Sequence, residues 1–404
     1  MFAFFRNLEP AQRRLMLTCY FSFFASGLLT LMVGSVMPDL RASAGLSDTA
    51  GGLLISSYSL GNLAAAFVAG ILPLYLGRKR SLLLTLALGV LGIGLTGGSA
   101  AGFLYLAFPL MGLAKGSLVN FDNWAVNRLS LGDAGAANLL HACFAVGAIL
   151  APLIFLLLSR LISWQAAMLF VGACFLLTLF LFTRVQVPDN RPDRHQSQVR
   201  TLRFLRDRHF QVLCLMMFCY LCSEYSVNGW LVTYIQSKES LMAAFQEPGS
   251  LSAFSQTMAA LLWSVMLLGR LIMARLSTQF NQKKLLAAGA LGMTLGFAGM
   301  LCASSVPFVI LFIALMGLSM AGLSPMITAD AAVFTNAYPL AMGTLLAIAS
   351  LGGVLMPSMV GILAERAGFQ GGMAVILGMI LLLLLSSILN LRMSGTERKR
   401  GISG

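Results

Sequence analysis

The pattern of hydrophobic and polar positions is dominated by long apolar runs that short polar segments separate. A helix that crosses a bilayer core needs about 20 predominantly apolar residues, and twelve runs approach or exceed that length. They lie at roughly 14–38, 50–76, 81–100, 102–128, 136–159, 164–184, 209–236, 251–275, 284–303, 306–329, 339–363 and 371–391. The pattern predicts an all-α polytopic membrane protein with twelve transmembrane helices.

Basic residues mark one side of these runs. When both termini are placed in the cytoplasm, few basic residues fall in the predicted outer segments: Arg41, Arg160, Lys238 and Arg366. The others lie in or beside the predicted inner segments, except Lys115, which lies within a run. This asymmetry is the usual topology signal of membrane proteins. It predicts an even number of spans with cytoplasmic termini, and the short loops favour a bacterial inner (plasma) membrane.

The chain also repeats itself at an offset near 205. MGLAKGSL at 111 corresponds to MGLSMAGL at 316, and GAILAP at 147 corresponds to GGVLMP at 352. We therefore predict two pseudo-symmetric six-helix bundles, 1–184 and 209–404, joined by a basic cytoplasmic linker, 185–208. In such an architecture the substrate site lies at mid-membrane between the bundles. Several glycines are expected to allow close approach of helices: Gly112, Gly116, Gly317, Gly352 and Gly353.

Composition excludes other classes of protein. A mean hydropathy of +0.85 with 10% charged residues does not suit a water-soluble domain. Lys and Arg total 27 against 14 Asp and Glu, but they lie between apolar runs, so we expect topology signals and no nucleic-acid partner. The seven cysteines fall in or beside apolar runs, and we interpret them as packing residues. We find no phosphate-cradling loop, metal cluster or nucleophile–base pair, so the sequence predicts neither an enzyme nor a bound cofactor.

The fourth predicted span carries unusual polarity. A charge at the bilayer centre costs about 2.5–3.5 kcal/mol on insertion scales, yet this span contains both Lys115 and Asp122. Seven residues apart on a helix, they project from nearly the same face, and Asn120 and Asn123 lie on an adjoining face. We expect Lys115 and the asparagines to bind substrate and Asp122 to couple protons. The alternative is a structural ion pair, including one between Asp122 and Arg128.

Glu224 is the main candidate for proton coupling in the second half. It lies in the middle of the seventh span, with Tyr220 and Asn228 one turn to either side. A carboxyl group in this position can bind and release a proton during transport. Alternatively, Glu224 hydrogen-bonds the substrate, which we also expect of Asn228, or neutralises Lys115.

Aromatic and charged residues complete the predicted set. Trp263 lies near the middle of the eighth span and Trp230 nearer the outer end of the seventh. Either indole ring could stack on the apolar face of a sugar, although Trp230 also suits an interfacial belt. Arg270 and Asp330, near the inner ends of the eighth and tenth spans, are interpreted as counterparts in a cytoplasmic gate.

Several stretches resemble the major facilitator superfamily. The turn Gly70–Arg80 is similar to the loop between its second and third helices, although Leu74 stands where that loop has an aspartate. NLLHACFAVGAILAPL (138–153) resembles the Asn-x-x-His-x-x-Phe-x-x-Gly pattern of the fucose permease-like, sugar:proton symporter branch. YLCSEYSVNGWLVTY (220–234) resembles the seventh helix of that branch, and WSVMLLGRL (263–271) resembles its eighth.

The resemblance implies a secondary active transporter that works by alternating access. It implies proton-driven uptake of a monosaccharide or similar small polar solute, with Asn138 and His141 contributing to the substrate site. Sodium is the alternative coupling ion. Transport of an anionic metabolite, efflux of a drug or metabolite, and a non-transporting solute sensor stay open. We expect a monomer whose partners are a small molecule and membrane lipid.

Overall fold

The computed structural model describes residues 8–97, 101–188, 203–247, 249–338 and 340–399. The chain divides into two compact units, Met1–His195 and Gln196–Gly404. The described residues contain helices and turns but no β-strand. Most of the predicted linker lies outside the described residues. Within its described part, a single 3₁₀ turn at Arg203–Arg206 precedes the first long helix of the second unit.

The described part of the first unit contains six long helices. They are α1 (Pro10–Ala44), α2 (Asp48–Leu76), α3 (Arg78–Leu95), α4 (Ala101–Leu129), α5 (Ala134–Leu161) and α6 (Trp164–Arg184). Side-chain caps fix three of their starts, because Ser47, Asp133 and Ser163 each accept a hydrogen bond from a first-turn N–H group. Glycines with positive φ end α1 at Gly45 and α2 at Gly77.

The second unit contains helices of more varied length. They are α7 (Arg208–Gln236), α8 (Glu239–Ala244), α9 (Ser250–Gln279), α10 (Gln282–Cys302), α11 (Val306–Met320), α12 (Leu323–Asp330), α13 (Ala332–Ala337) and α14 (Ala341–Lys399). The tenth predicted span thus corresponds to α11 and α12. A non-helical Gly368, at φ 72° and ψ 167°, divides α14 into 341–367 and 369–399.

Ten helical segments of the described chain are long and apolar enough to cross a membrane. The segment 341–393 counts once among them although Gly368 interrupts it, and α3 is not counted. That helix begins with three basic residues, which lower its hydropathy. With α3 included and α14 taken as two helices, the described residues contain the twelve predicted spans.

Reciprocal glycine contacts hold two helix pairs of the first unit together. A Cβ on Gly27 of α1 would overlap the Phe144 carbonyl of α5, and a Cβ on Gly147 would overlap the Phe24 carbonyl. In the second pair, Gly61 of α2 lies against the Pro109 carbonyl, and Gly112 of α4 lies against the Tyr58 carbonyl. Since a side chain at these positions would meet backbone, the helices approach closely only because the residues are glycine.

The second unit repeats one contact of each pair. A Cβ on Gly317 of α11 would lie 2.7 Å from the Leu262 carbonyl oxygen of α9. A Cβ on Gly352 of α14 would lie 2.6 Å from the Phe218 carbonyl oxygen of α7. Gly317 and Gly352 are the residues that the internal repeat matches to Gly112 and Gly147. The glycines predicted to allow close helix approach therefore do so in both units.

Candidate functional site

Asp122 is fully buried between α4 and α1. The Ser22 hydroxyl donates a short hydrogen bond to its Oδ2 atom, and the Cys19 thiol is a second contact on α1. Its Oδ1 atom has no hydrogen-bond partner among the described residues. No described Lys, Arg or His side chain forms an ion pair with Asp122. The alternative pair with Arg128 is not among the ion pairs of the described residues, and the Arg128 guanidinium lies 5.7 Å from the centroid of the Trp124 ring.

Lys115 reaches a different neighbour of α4. Its ammonium group donates to Asn62 Oδ1 on α2 at 3.2 Å, and the residue is 9% exposed. Lys115 therefore contacts α2 while Asp122 contacts α1. The two charges that the sequence placed on nearly one face of the helix do not pair with each other.

The asparagines of α4 do not join either charge. Asn123 donates from Nδ2 to the Val119 carbonyl of its own helix at 2.7 Å. Asn120 is exposed and lines a cavity beside α2 and α3. On α5, Asn138 and His141 are both exposed, and the His141 ring packs edge-on against Phe23 with centroids 5.4 Å apart.

The second unit brings four predicted residues together on α7 and α9. Trp263 Nε1 donates to Asn228 Oδ1 at 3.1 Å. Glu224, half-buried, lies one turn from Asn228, and the buried Tyr220 is in electrostatic range of both Glu224 and Arg270. We call these five residues the α7–α9 cluster. It combines a carboxyl, an amide, an indole, a phenol and a guanidinium group, which together can donate to and accept from a polar solute.

Trp230 has a packing position in the second unit. Its indole nitrogen donates to the Pro357 carbonyl at 3.0 Å, its ring lies 5.4 Å from that of Phe369, and its exposure is 0%. The ring therefore has no open face on which a sugar could stack in this structure.

The predicted gate pair does not form. Asp330 accepts from Asn390 Nδ2 at 2.8 Å and lies 3.5 Å from His209 Nε2 and 3.9 Å from Lys283 Nζ. Arg270 instead contacts the Met266 sulfur on its own helix. The reason is local, since Asp330 ends α12 among side chains from α7, α10 and α14, which satisfy its carboxylate.

Sequence reasoning missed Ser22 and Asn62, the partners of the two α4 charges. One signal was available for the first, because Ser22, Ser26 and Thr30 recur every four residues on one face of α1. No comparable pattern marks Asn62. No three His, Cys, Asp or Glu side chains of the described segments lie close enough to ligate a metal ion.

Long apolar helices with charged and amide side chains in their interior define a polytopic solute transporter. The chain matches the Major Facilitator Superfamily over residues 19–271 and 240–403, and it belongs to that family. It is therefore a membrane transporter and not an enzyme.

Two relatives from Bacillus subtilis (strain 168) are similar in sequence. The putative niacin/nicotinamide transporter NiaP is 28% identical over an alignment of 220 residues that covers 48% of this chain and 54% of the relative. The match thus spans about half the length of that protein. The uncharacterized MFS-type transporter YfkL is 24% identical over an alignment of 375 residues that covers 88% of this chain and 92% of the relative.

Solved structures share the fold at low identity. The nucleoside transporter NupG superposes with a TM-score of 0.76 at 13% identity, over 95% of this chain and 99% of that one. The E. coli fucose:proton symporter FucP superposes with a TM-score of 0.62 at 19% identity, over 94% and 99%. The fucose symporter is thus one fold neighbour among several, and these likenesses establish the fold alone.

Proposed function

We propose that this chain is a proton-coupled secondary active transporter that takes up a monosaccharide or a similarly small polar solute by alternating access. The observation that carries the proposal is the fully buried Asp122 carboxyl group, held by Ser22 and Cys19. An ionised carboxylate buried without a cation costs several kcal/mol, so this position accommodates the neutral acid. Exposure to water during a transport cycle would let the proton leave.

The polar groups of the α7–α9 cluster support a small hydroxylated solute as the substrate. Glu224 and Asn228 offer acceptor and donor groups one turn apart, and Trp263 is held beside them by its bond to Asn228. We assign Glu224 to proton coupling together with Asp122, and Asn228 to substrate binding. Trp263 is 3% exposed and is assigned to the same site through its hydrogen bond, which orients the Asn228 amide. The exposed Asn138 and His141 of α5 are assigned to substrate binding on the resemblance of the stretch at 138–153 to the fucose permease-like branch. The charge asymmetry supports cytoplasmic termini in a bacterial inner membrane.

Transport in proteoliposomes that contain a pH-sensitive dye tests the proposal. L-fucose and D-glucose are added outside, and proton entry is followed with and without an imposed pH gradient. The wild type is expected to admit protons with the sugar. Asp122→Asn and Glu224→Gln are expected to abolish sugar-evoked proton entry and to retain exchange of labelled sugar, because exchange needs no net proton movement. Glu247→Gln removes an exposed carboxylate and is the matched control. Sugar uptake with unchanged proton entry in both variants would rule out their coupling role.

A second candidate substrate is an anionic metabolite. Lys115 is buried beside Asn62, and an ammonium group with an adjacent amide is suited to bind a carboxylate. The relative named for niacin and nicotinamide gives this candidate a defined probe.

Nicotinate and nicotinamide distinguish the two candidates in the same assay. An anion carrier is expected to move nicotinate and to lose that transport in Lys115→Met, because the variant keeps the apolar stem without the charge. Transport of L-fucose that survives Lys115→Met, with no response to nicotinate, would exclude the anion candidate.

A further inference from the structure

A cavity of about 320 Å³ lies between α2, α3 and α4 in the first unit. Ligand pockets start at about 300 Å³, so this one suits a small molecule or the head of a larger one. Its lining is mixed, with apolar surface from Val68, Leu82 and Phe121 beside polar groups. It contains neither Asp122 nor any member of the α7–α9 cluster, so the proposed transport chemistry does not account for it.

A cation is fixed at the wall of the cavity. The Arg78 guanidinium stacks on the Trp124 ring, 4.0 Å from its centroid, and both residues line the cavity. A guanidinium group carries five N–H donors in a planar fork that matches the geometry of oxyanions. Arg78 is also the first residue of α3, whose Gly77 N-cap provides no side-chain acceptor. The partial positive charge at the N-terminus of α3 therefore adds to the positive potential that Arg78 creates at the cavity wall.

A buried hydroxyl supplies an independent indication of a ligand. Ser117 lines the cavity and is 6% exposed, and its Oγ atom has no hydrogen-bond partner among the described residues. Buried polar groups in proteins are almost always hydrogen-bonded. A ligand oxygen in the cavity would accept the proton of this hydroxyl.

The neighbouring basic residues have other positions. Lys79 donates from Nζ to the carbonyls of Thr183 and Val185 and thereby caps the end of α6. Arg80 is exposed and does not line the cavity. Of this run of three, Arg78 alone is among the lining residues, although all three carry the same charge.

We propose that this cavity binds an oxyanion, a phosphate or carboxylate group, that is attached to an apolar body. Arg78 holds the charged group, Ser117 and Asn120 donate to its oxygens, and Val68, Leu82 and Phe121 contact the apolar part. The ligand comes from one of two sources, the headgroup of an acidic phospholipid or a soluble organic anion. Basic pockets between transmembrane helices on the cytoplasmic side are known to bind acidic headgroups.

Titration calorimetry on the purified full-length protein in an uncharged detergent tests the site. The probes are dihexanoyl phosphatidylglycerol, its phosphatidylcholine counterpart and glycerol phosphate. Arg78→Gln is expected to weaken binding of the anionic probe about tenfold or more, because a charge-assisted contact is lost. Ser117→Ala is expected to weaken it about threefold. Arg80→Gln is the matched control and is expected to bind as the wild type does.

The probes separate the two sources. Binding of phosphatidylglycerol without phosphatidylcholine or glycerol phosphate identifies a lipid headgroup, whereas binding of glycerol phosphate identifies a soluble anion. Binding that is equal in Arg78→Gln and wild type, or absent for all anionic probes, overturns the proposal. An equal loss in Arg80→Gln also overturns it, because that result reports unspecific surface charge. If Arg78→Gln fails to fold, binding of the anionic probe to Ser117→Ala tests the proposal instead, provided that the melting temperature of this variant is unchanged.

Discussion

Ser22 and Cys19 of α1 both contact the Asp122 carboxyl group. Ser22 bonds one carboxyl oxygen while the other has no hydrogen-bond partner among the described residues. Ser26, one turn further along α1, instead donates to the Ser22 carbonyl of its own helix. The two serines are equally buried but differ in what their removal would leave unpaired.

Ser22→Ala should therefore destabilise the protein more than Ser26→Ala. Removing the hydroxyl that donates to a buried carboxyl oxygen costs about 1–3 kcal/mol, whereas Ser26→Ala removes a bond to a carbonyl that the helix already occupies. Thermal melting in detergent measures both variants. In an Asp122→Leu background the difference should vanish, and its persistence would mean that the effect of Ser22 does not pass through the carboxyl group.

The two tryptophans of the second unit should respond differently to the same change. Trp263→Phe removes the donor to Asn228 and should raise the KM for the transported solute about three- to tenfold. Trp230→Phe leaves the Pro357 carbonyl without its indole donor and should lower stability by about 1–3 kcal/mol with an unchanged KM. Transport kinetics and melting curves on both variants check this. A normal KM in Trp263→Phe would remove that residue from the substrate site.

Within each unit, helices approach each other closely where a glycine of one helix lies against a backbone carbonyl of another. At Gly112 an added methyl group meets the Tyr58 backbone of α2, and backbone cannot rotate away as a side chain can. At Gly94, also helical, an added methyl group meets nothing within 4 Å. The two positions thus separate the packing role of a glycine from its cost in helix propensity.

Gly112→Ala should lower the stability of the protein by about 1–3 kcal/mol or more through overpacking. Gly94→Ala should raise it by up to about 1 kcal/mol, because alanine is the better helix former. Melting temperatures in detergent provide the comparison. A Gly112→Ala variant as stable as Gly94→Ala would show that α2 and α4 are not held at this distance.

The sequence predicted the number and nature of the helices well, since lipid requires long apolar segments whatever their partners. It placed the last two spans at 339–363 and 371–391, and the break in α14 at Gly368 falls between them. Contacts such as Ser22 with Asp122 join residues 100 positions apart. They depend on how each helix is rotated, which periodicity does not specify, and the same limit produced the incorrect pairing of Arg270 with Asp330.

The orientation of the chain in the membrane has a direct test. Cys302 is exposed at the end of α10, which the charge pattern assigns to the outer side. A membrane-impermeant maleimide should label it in intact cells, and Cys302→Ser should remove that signal. In the Cys302→Ser background, Arg80→Cys should be labelled only after the membrane is opened, because it belongs to an inner segment. The reverse pattern would invert the topology.

The matched glycines also impose the same steric limit on both halves of the chain. Gly112 and Gly317, like Gly147 and Gly352, occupy equivalent places in two halves that otherwise share few residues, and each pair makes the same kind of contact. At each of the four positions an added methyl group would meet the backbone of a neighbouring helix. In a library of single-codon replacements selected for transport, variants at these four codons should therefore be lost, and to a similar extent within each pair. Alanine at the codon of Gly94 should be tolerated.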